Sequence, residues 1–98
     1  MLDTGYLLDI IIINYKSTDF LFNSLSSVYN SIKDIPVRIS VHDNSSSEGL
    51  ECVKTMFPKV NFTRNEYNIG FAMATNNALK QSTAPYIMII NPDTVVKN

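Results

Sequence analysis

The stretch Leu7-Leu8-Asp9-Ile10-Ile11-Ile12-Ile13 constrains the fold more than any other part of this chain. It ends in four consecutive isoleucines, apolar and branched at Cβ at even and odd positions alike. A strand with one wet face would alternate, so this one has to be covered on both faces, as the inner strands of parallel sheets are. Parallel strands cannot be joined by tight hairpins; each needs a crossover long enough to hold a helix. Strands and helices should therefore alternate along the chain.

The remaining segments fit that expectation. After Asn14-Tyr15-Lys16-Ser17, the residues Leu21, Leu25, Val28, Tyr29 and Ile32 recur at helical spacing and predict an amphipathic helix over 18–33. Ser17 or Thr18 is placed to cap it through a hydroxyl. Pro36 to His42 alternates as a second strand and runs into Asp43-Asn44. Leu50, Val53, Met56 and Phe57 mark a second helix, stopped at Pro58. Val60-Asn61-Phe62-Thr63 is a weaker third strand. Phe71, Ala74, Ala78 and Leu79 mark a third helix after the turn Asn68-Ile69-Gly70. Pro85 to Ile90 forms a fourth strand that leads straight into Asn91-Pro92-Asp93-Thr94. The order β-α-β-α-β-α-β predicts an α/β, three-layer α/β/α Rossmann-like fold with a four-stranded, mainly parallel sheet and helices on both faces. The chain shows no internal repeat and no linker.

Composition narrows the function. Ninety-eight residues fit one domain, and a chain of that size buries roughly 60–65% of its unfolded surface. With 45% apolar and 17% charged residues it reads as globular, not disordered. The net charge is −1 and Lys and Arg form no run, which argues against a broad electrostatic grip on nucleic acid or on an anionic membrane. An anionic ligand would have to be held locally, by backbone amides, a helix N-terminus or a metal ion. The single cysteine, Cys52, gives neither a disulfide framework nor zinc-ligand spacing. Beside the apolar stripe of the second helix it reads as a small core residue, and the Met and Phe residues read as packing. Met1-Leu2-Asp3 lacks a basic signal-peptide start, and the run Leu7 to Ile13 is too short to span a bilayer. A cytoplasmic location is expected, with a membrane-peripheral position in a longer protein left open.

In an open parallel sheet, ligands gather outside the carboxyl ends of the strands. Here those exits carry Asn14-Tyr15, Asp43-Asn44-Ser45, Asn65 with Asn68-Ile69-Gly70, and Asn91-Pro92-Asp93. One polar exit is ordinary turn chemistry, since Asn and Asp suit turns. Four exits converging on one end of the sheet make a candidate site.

Ile11 to Tyr15, then Val41-His42-Asp43-Asn44-Ser45-Ser46, then Asn68-Ile69-Gly70-Phe71-Ala72 with Asn76, then Ile89 to Thr94 together resemble the N-terminal half of family 2 glycosyltransferases. The nearest likeness is to rhamnosyltransferase-like members, which often carry Asn-Pro-Asp in place of Asp-x-Asp. The resemblance covers nearly the whole chain in the right order and spacing. It implies a nucleotide-diphospho-sugar fold (GT-A), a donor linked to UDP, dTDP or GDP, a divalent cation, Mg²⁺ or Mn²⁺, and sugar transfer with inversion. It also implies that the catalytic base, an Asp or Glu, and the acceptor site lie after the metal motif, so residues 1–98 are expected to be an incomplete donor-binding half, inactive alone.

Asp93 is the candidate metal ligand, because a carboxylate at a strand exit suits a hard cation that also holds diphosphate oxygens. The alternative reading is a turn aspartate that caps the next segment. Asn91 stands where many relatives have the first aspartate; uncharged, it is expected to hydrogen-bond the ribose or a metal-bound water. Asp43 resembles the family aspartate that accepts the base's ring N–H, though an Asx-turn would also use it. Asn14 and Tyr15 are candidates for base contact by edge polarity and ring stacking, with Tyr15 also suited to a core wall, and Asn44 joins them at the second exit. Gly70 offers close backbone approach or positive φ. Asn68 and Asn76 read as structural hydrogen-bonders. His42 reads as structural, since the Asp43 side chain next to it points to the other face of the strand.

Four other functions compete with this one. A non-catalytic nucleotide-binding module or transferase remnant would share the donor residues. A signalling receiver needs an acidic pair after the first strand, and Asn14-Tyr15 stands there. A nucleotidyltransferase or dinucleotide-binding dehydrogenase needs a Gly-rich loop at the same place, and none follows the strand. A fourth strand left at the sheet edge would also invite self-association with a second copy.

Overall fold

The computed structural model describes residues 5–32, 35–44 and 50–92. Its elements run β1 (Leu8–Asn14), α1 (Thr18–Ser31), β2 (Val37–Asp43), α2 (Leu50–Met56), β3 (Asn61–Arg64), α3 (Phe71–Gln81) and β4 (Tyr86–Ile90). The four strands form one sheet in the order β3-β2-β1-β4, and every neighbouring pair is parallel. Asn14 belongs to the strand rather than to the turn after it: it sits opposite Asp43 in the β1–β2 register.

The isoleucine run explains the layering. Ile10 and Ile12 face α1 and α2, where they pack with Leu21, Leu25, Val28, Ile39, Val41 and Val53. Ile11 and Ile13 face the opposite side and pack with Ala74 and Ala78 of α3. Both faces of β1 are thus covered, as its unbroken apolar pattern requires. The α3 contact is made by alanines at positions i and i+4, 2% and 1% exposed, so short side chains bring that helix close to the sheet. Asp9 interrupts the apolar run yet is 2% exposed; Ser40 Oγ donates to its Oδ1 at 3.1 Å. His42 lies on the same face as Ile13 and is largely buried. Burial holds its imidazole below the ordinary value of 6.5; Asp9 acts in the opposite sense and Arg38 in the same sense as burial.

Several side chains behave otherwise than their types suggest. Ser17 occupies the α1 N-cap without a side-chain cap bond, because its Oγ donates to the Tyr15 carbonyl at 3.2 Å. The Thr18 hydroxyl is engaged too, accepting from Asn14 Nδ2 at 3.2 Å. Cys52 is exposed, since only Val53 of α2 turns fully into the core. Met56, Met73, Met88, Phe20 and Phe71 are exposed as well. For β4 the reason is positional: it is an edge strand, and Tyr86, Ile87, Met88 and Ile89 lie in the open on both its faces. Among the described residues no helix is long and apolar enough to cross a membrane.

Candidate active site

The chain lays β2 and β3 on one side of β1 and then returns to place β4 on the other. That reversal opens a crevice at the carboxyl ends of β1 and β4, where the crossovers part company. A recess of about 360 Å³ lies there. The β1 exit supplies Ile13, Tyr15 and Ser17, and the β2 exit supplies Asn44. The loop into α3 adds Asn68, Gly70 and Phe71, and the β4 exit adds Asn91 and Pro92. The volume is that of a small-molecule site, and the lining pairs aromatic surface with a few amides. None of these lining residues carries a formal charge.

Asn44 organises one wall. It is 2% exposed; its Oδ1 accepts from Ile69 N at 2.9 Å and from Asn65 Nδ2 at 3.2 Å. Its Nδ2 donates to Asn68 Oδ1 at 2.7 Å, and the same oxygen takes Gly70 N at 2.8 Å. One buried amide therefore ties the β2 exit to the β3 exit and shapes the loop that leads into α3. Gly70 ends that loop at φ 85°, ψ 156°, a conformation available at low cost only without a Cβ.

Asn14 and Asp43 lie behind the recess rather than in its wall. Both are fully buried, and Asn14 Nδ2 donates to Asp43 Oδ1 at 2.9 Å. Arg64, at the end of β3, places Nε 3.6 Å from Asp43 Oδ2 with its side chain half in water. The pair closes the seam between β1 and β2 at the carboxyl ends of the two strands.

Tyr15 stands in the recess 40% exposed. The Lys16 ammonium lies 5.2 Å from its ring centroid. The Lys16 hydrogen bond to the phenol holds its proton affinity below the ordinary value; a bond from Asn68 and the Lys16 charge add to this, while burial opposes it. Lys16 itself has φ 53°.

Of the residues expected to hold a nucleotide, Tyr15, Asn44, Gly70 and Asn91 meet around one recess, and Asn14 and Asp43 form its support. Asp93 lies outside the described residues. Asn68, read from sequence as structural, is both a strut and part of the wall. Pro92 already stands in the Asn91-Pro92-Asp93 exit, and Ser17 and Phe71 follow the Asn14-Tyr15 and Asn68-Ile69-Gly70 exits by one or two residues. Arg64 and Lys16 had no pattern to mark them. Among the described residues no three His, Cys, Asp or Glu side chains cluster as a metal cage. At the β4 exit Asn91 and Pro92 line the recess, and Asp93 follows them in sequence.

Residues 9–98 match the model of Glycosyl transferase family 2. The uncharacterized glycosyltransferase YfnE of Bacillus subtilis (strain 168) is 33% identical over 88 residues, covering 86% of this chain and 22% of its own length. The structure of S. aureus TarS 1-349 superposes with a TM-score of 0.79 at 23% identity, covering 92% of this chain and 28% of that one. The mannosyltransferase PcManGT from Pyrobaculum calidifontis, in complex with GDP-Man and Mn²⁺, gives 0.78 at 21% identity, over 94% of this chain and 29% of that one. The chain thus spans about a fifth of YfnE (22%) and under a third of these structures, and its sheet and helices match their GT-A glycosyltransferase fold. With the family model matching from Asp9 to Asn98, the chain belongs to glycosyl transferase family 2.

Proposed function

We propose that the recess between the β1 and β4 exits holds a nucleotide-diphospho-sugar, with Mg²⁺ or Mn²⁺, for inverting transfer of the sugar to an acceptor hydroxyl. The observation that carries this is the lining itself: an exposed tyrosine ring and a loop wall pre-ordered by the buried Asn44 amide at the switch point of a parallel sheet. Two matched structures support the ligand class, PcManGT in complex with GDP-Man and Mn²⁺ and TarS 1-349 in complex with UDP.

In this reading Tyr15 stacks on the base, and the recess wall set by Asn44 and Gly70 fixes where base and ribose lie. Asn91 hydrogen-bonds the ribose or a metal-bound water. The buried Asn14–Asp43 pair braces the two strand exits behind the recess. Asp93 would hold the cation, which when bound offsets charge gathering on the leaving nucleotide. The Asn91-Pro92-Asp93 sequence favours a donor of the rhamnosyltransferase-like kind. We assign no catalytic base among these residues.

Calorimetric titration with UDP, dTDP and GDP, with and without Mn²⁺, tests the reading on wild type and Asp93→Ala. Metal-dependent binding of one nucleotide, weakened in the variant, is expected. A folded protein that binds none of the three would overturn it.

A further inference from the structure

We propose that Lys16 is a binding residue for the diphosphate of the nucleotide ligand, an inference that rests on the reading above. Lys16 sits between two residues of the recess, Tyr15 and Ser17. Among the described residues it is the one non-glycine position with positive φ, at 53°. For a residue with a Cβ that conformation costs on the order of 1 kcal/mol, and glycine or asparagine would adopt it more cheaply. A lysine kept there calls for a reason, and the position of its side chain supplies one. The turn folds the stem back so that Nζ lies 5.2 Å from the centre of the Tyr15 ring, at the edge of the recess.

Charge at that end of the sheet points the same way. The recess lining is uncharged, so beside the divalent cation of that reading a basic side chain close by would add to the hold on a diphosphate. Arg38, near the start of β2, and Lys80, in the last turn of α3, belong to the opposite end of the strands. Lys54 pairs with Glu51 on α2, and Lys59 lies beside the apolar recess at Phe57. Arg64 is at the correct end but lies against the buried Asp43 carboxylate. Among the described residues Lys16 is therefore the cation placed both at the carboxyl ends of the strands and against a lining side chain. A lysine ammonium is a compact charge on a long stem and serves phosphate oxygens as a point charge. The Tyr15 ring holds it near the site before ligand arrives, which lowers the ordering cost of binding.

The test compares the nucleoside diphosphate that titrates best among UDP, dTDP and GDP with its own nucleoside, on the intact chain. Lys16→Met keeps the stem and removes the charge; it should weaken the diphosphate about tenfold and leave the nucleoside, followed by NMR shifts at Tyr15, unchanged. Lys16→Arg should retain most of the affinity. Lys16→Gly relieves the backbone and should unfold at the same or a higher temperature than wild type while losing diphosphate affinity as Lys16→Met does. Equal weakening of nucleoside and diphosphate would overturn the inference, because Lys16 would then act only by orienting Tyr15. Wild-type diphosphate affinity in Lys16→Met would overturn it too, with the nucleotide site itself intact. If wild type binds none of the three diphosphates, the inference and the nucleotide-site reading both fail.

Discussion

Removing the Asn14 amide should unlock the seam between β1 and β2. In Asn14→Ala the Asp43 carboxylate loses a 2.9 Å donor while staying fully buried. A hydrogen bond to a charged group contributes about 1.5–3 kcal/mol, and a buried acceptor left without its donor costs a similar amount. Arg64 is a weak substitute: its Nε is 3.6 Å away and its side chain is 58% exposed, so solvent screens most of what it offers. The Thr18 hydroxyl loses a longer contact, 3.2 Å, which adds little. The expected loss is therefore about 2 kcal/mol, which for a domain of this size lowers Tm by roughly 8–12 °C. Asn14→Asp should cost more at neutral pH, because it sets two carboxylates face to face across the seam. Thermal and urea unfolding followed by circular dichroism measure both variants. Asn14→Ala within about 0.5 kcal/mol of wild type, the usual scatter of surface changes, would refute the assignment of this pair as the bracket of the two strand exits.

Other outcomes follow from single residues. His42 is the chain's one histidine, and burial lowers its folded pKa below 6.5. The unfolded chain thus binds the extra proton first, so stability is full above that value and falls as pH drops through it; His42→Gln should flatten this part of a Tm-against-pH curve between about pH 7.5 and 5.5. Ala74→Leu should cost about 1–3 kcal/mol by pushing α3 off the sheet, read by urea unfolding. Asn44→Ala should cost about 2–3 kcal/mol and speed amide exchange at Ile69 and Gly70, whose loop it anchors. Gly70→Ala should cost about 1–3 kcal/mol from backbone strain alone, since nothing lies within 4 Å of where the methyl would stand.

The layering was legible because its cause is local: four consecutive isoleucines admit no wet face, and parallel strands demand helical crossovers. The site's location followed from the same logic, since strand exits in such sheets face a common crevice. Side-chain aim was harder to read. Asn14 and Asp43 stand in the same list of polar exits as the lining residues, and only the β1–β2 register shows them opposite each other and buried. Ser17 carries a capping residue's chemistry but spends its hydroxyl on the Tyr15 carbonyl. The exposure of Cys52, Met56 and Phe71 depends on which face of a short helix meets the sheet, and periodicity over so few turns does not settle that. Lys16 carried no signal at all, because a left-handed backbone at a lysine is written in no motif.

Amide chemical-shift mapping during titration with UDP, dTDP and GDP in the presence of Mg²⁺ bears most directly on the central claim. One of them should shift the amides of residues 13–17, 44, 68–71 and 91, the rim of the recess between β1 and β4. The apolar recess around Tyr29, Met56 and Phe57 on the far helical layer should stay unmoved. Shifts confined to that second recess, or no shift with any of the three nucleotides in a folded protein, would contradict a donor site at the β1–β4 exits.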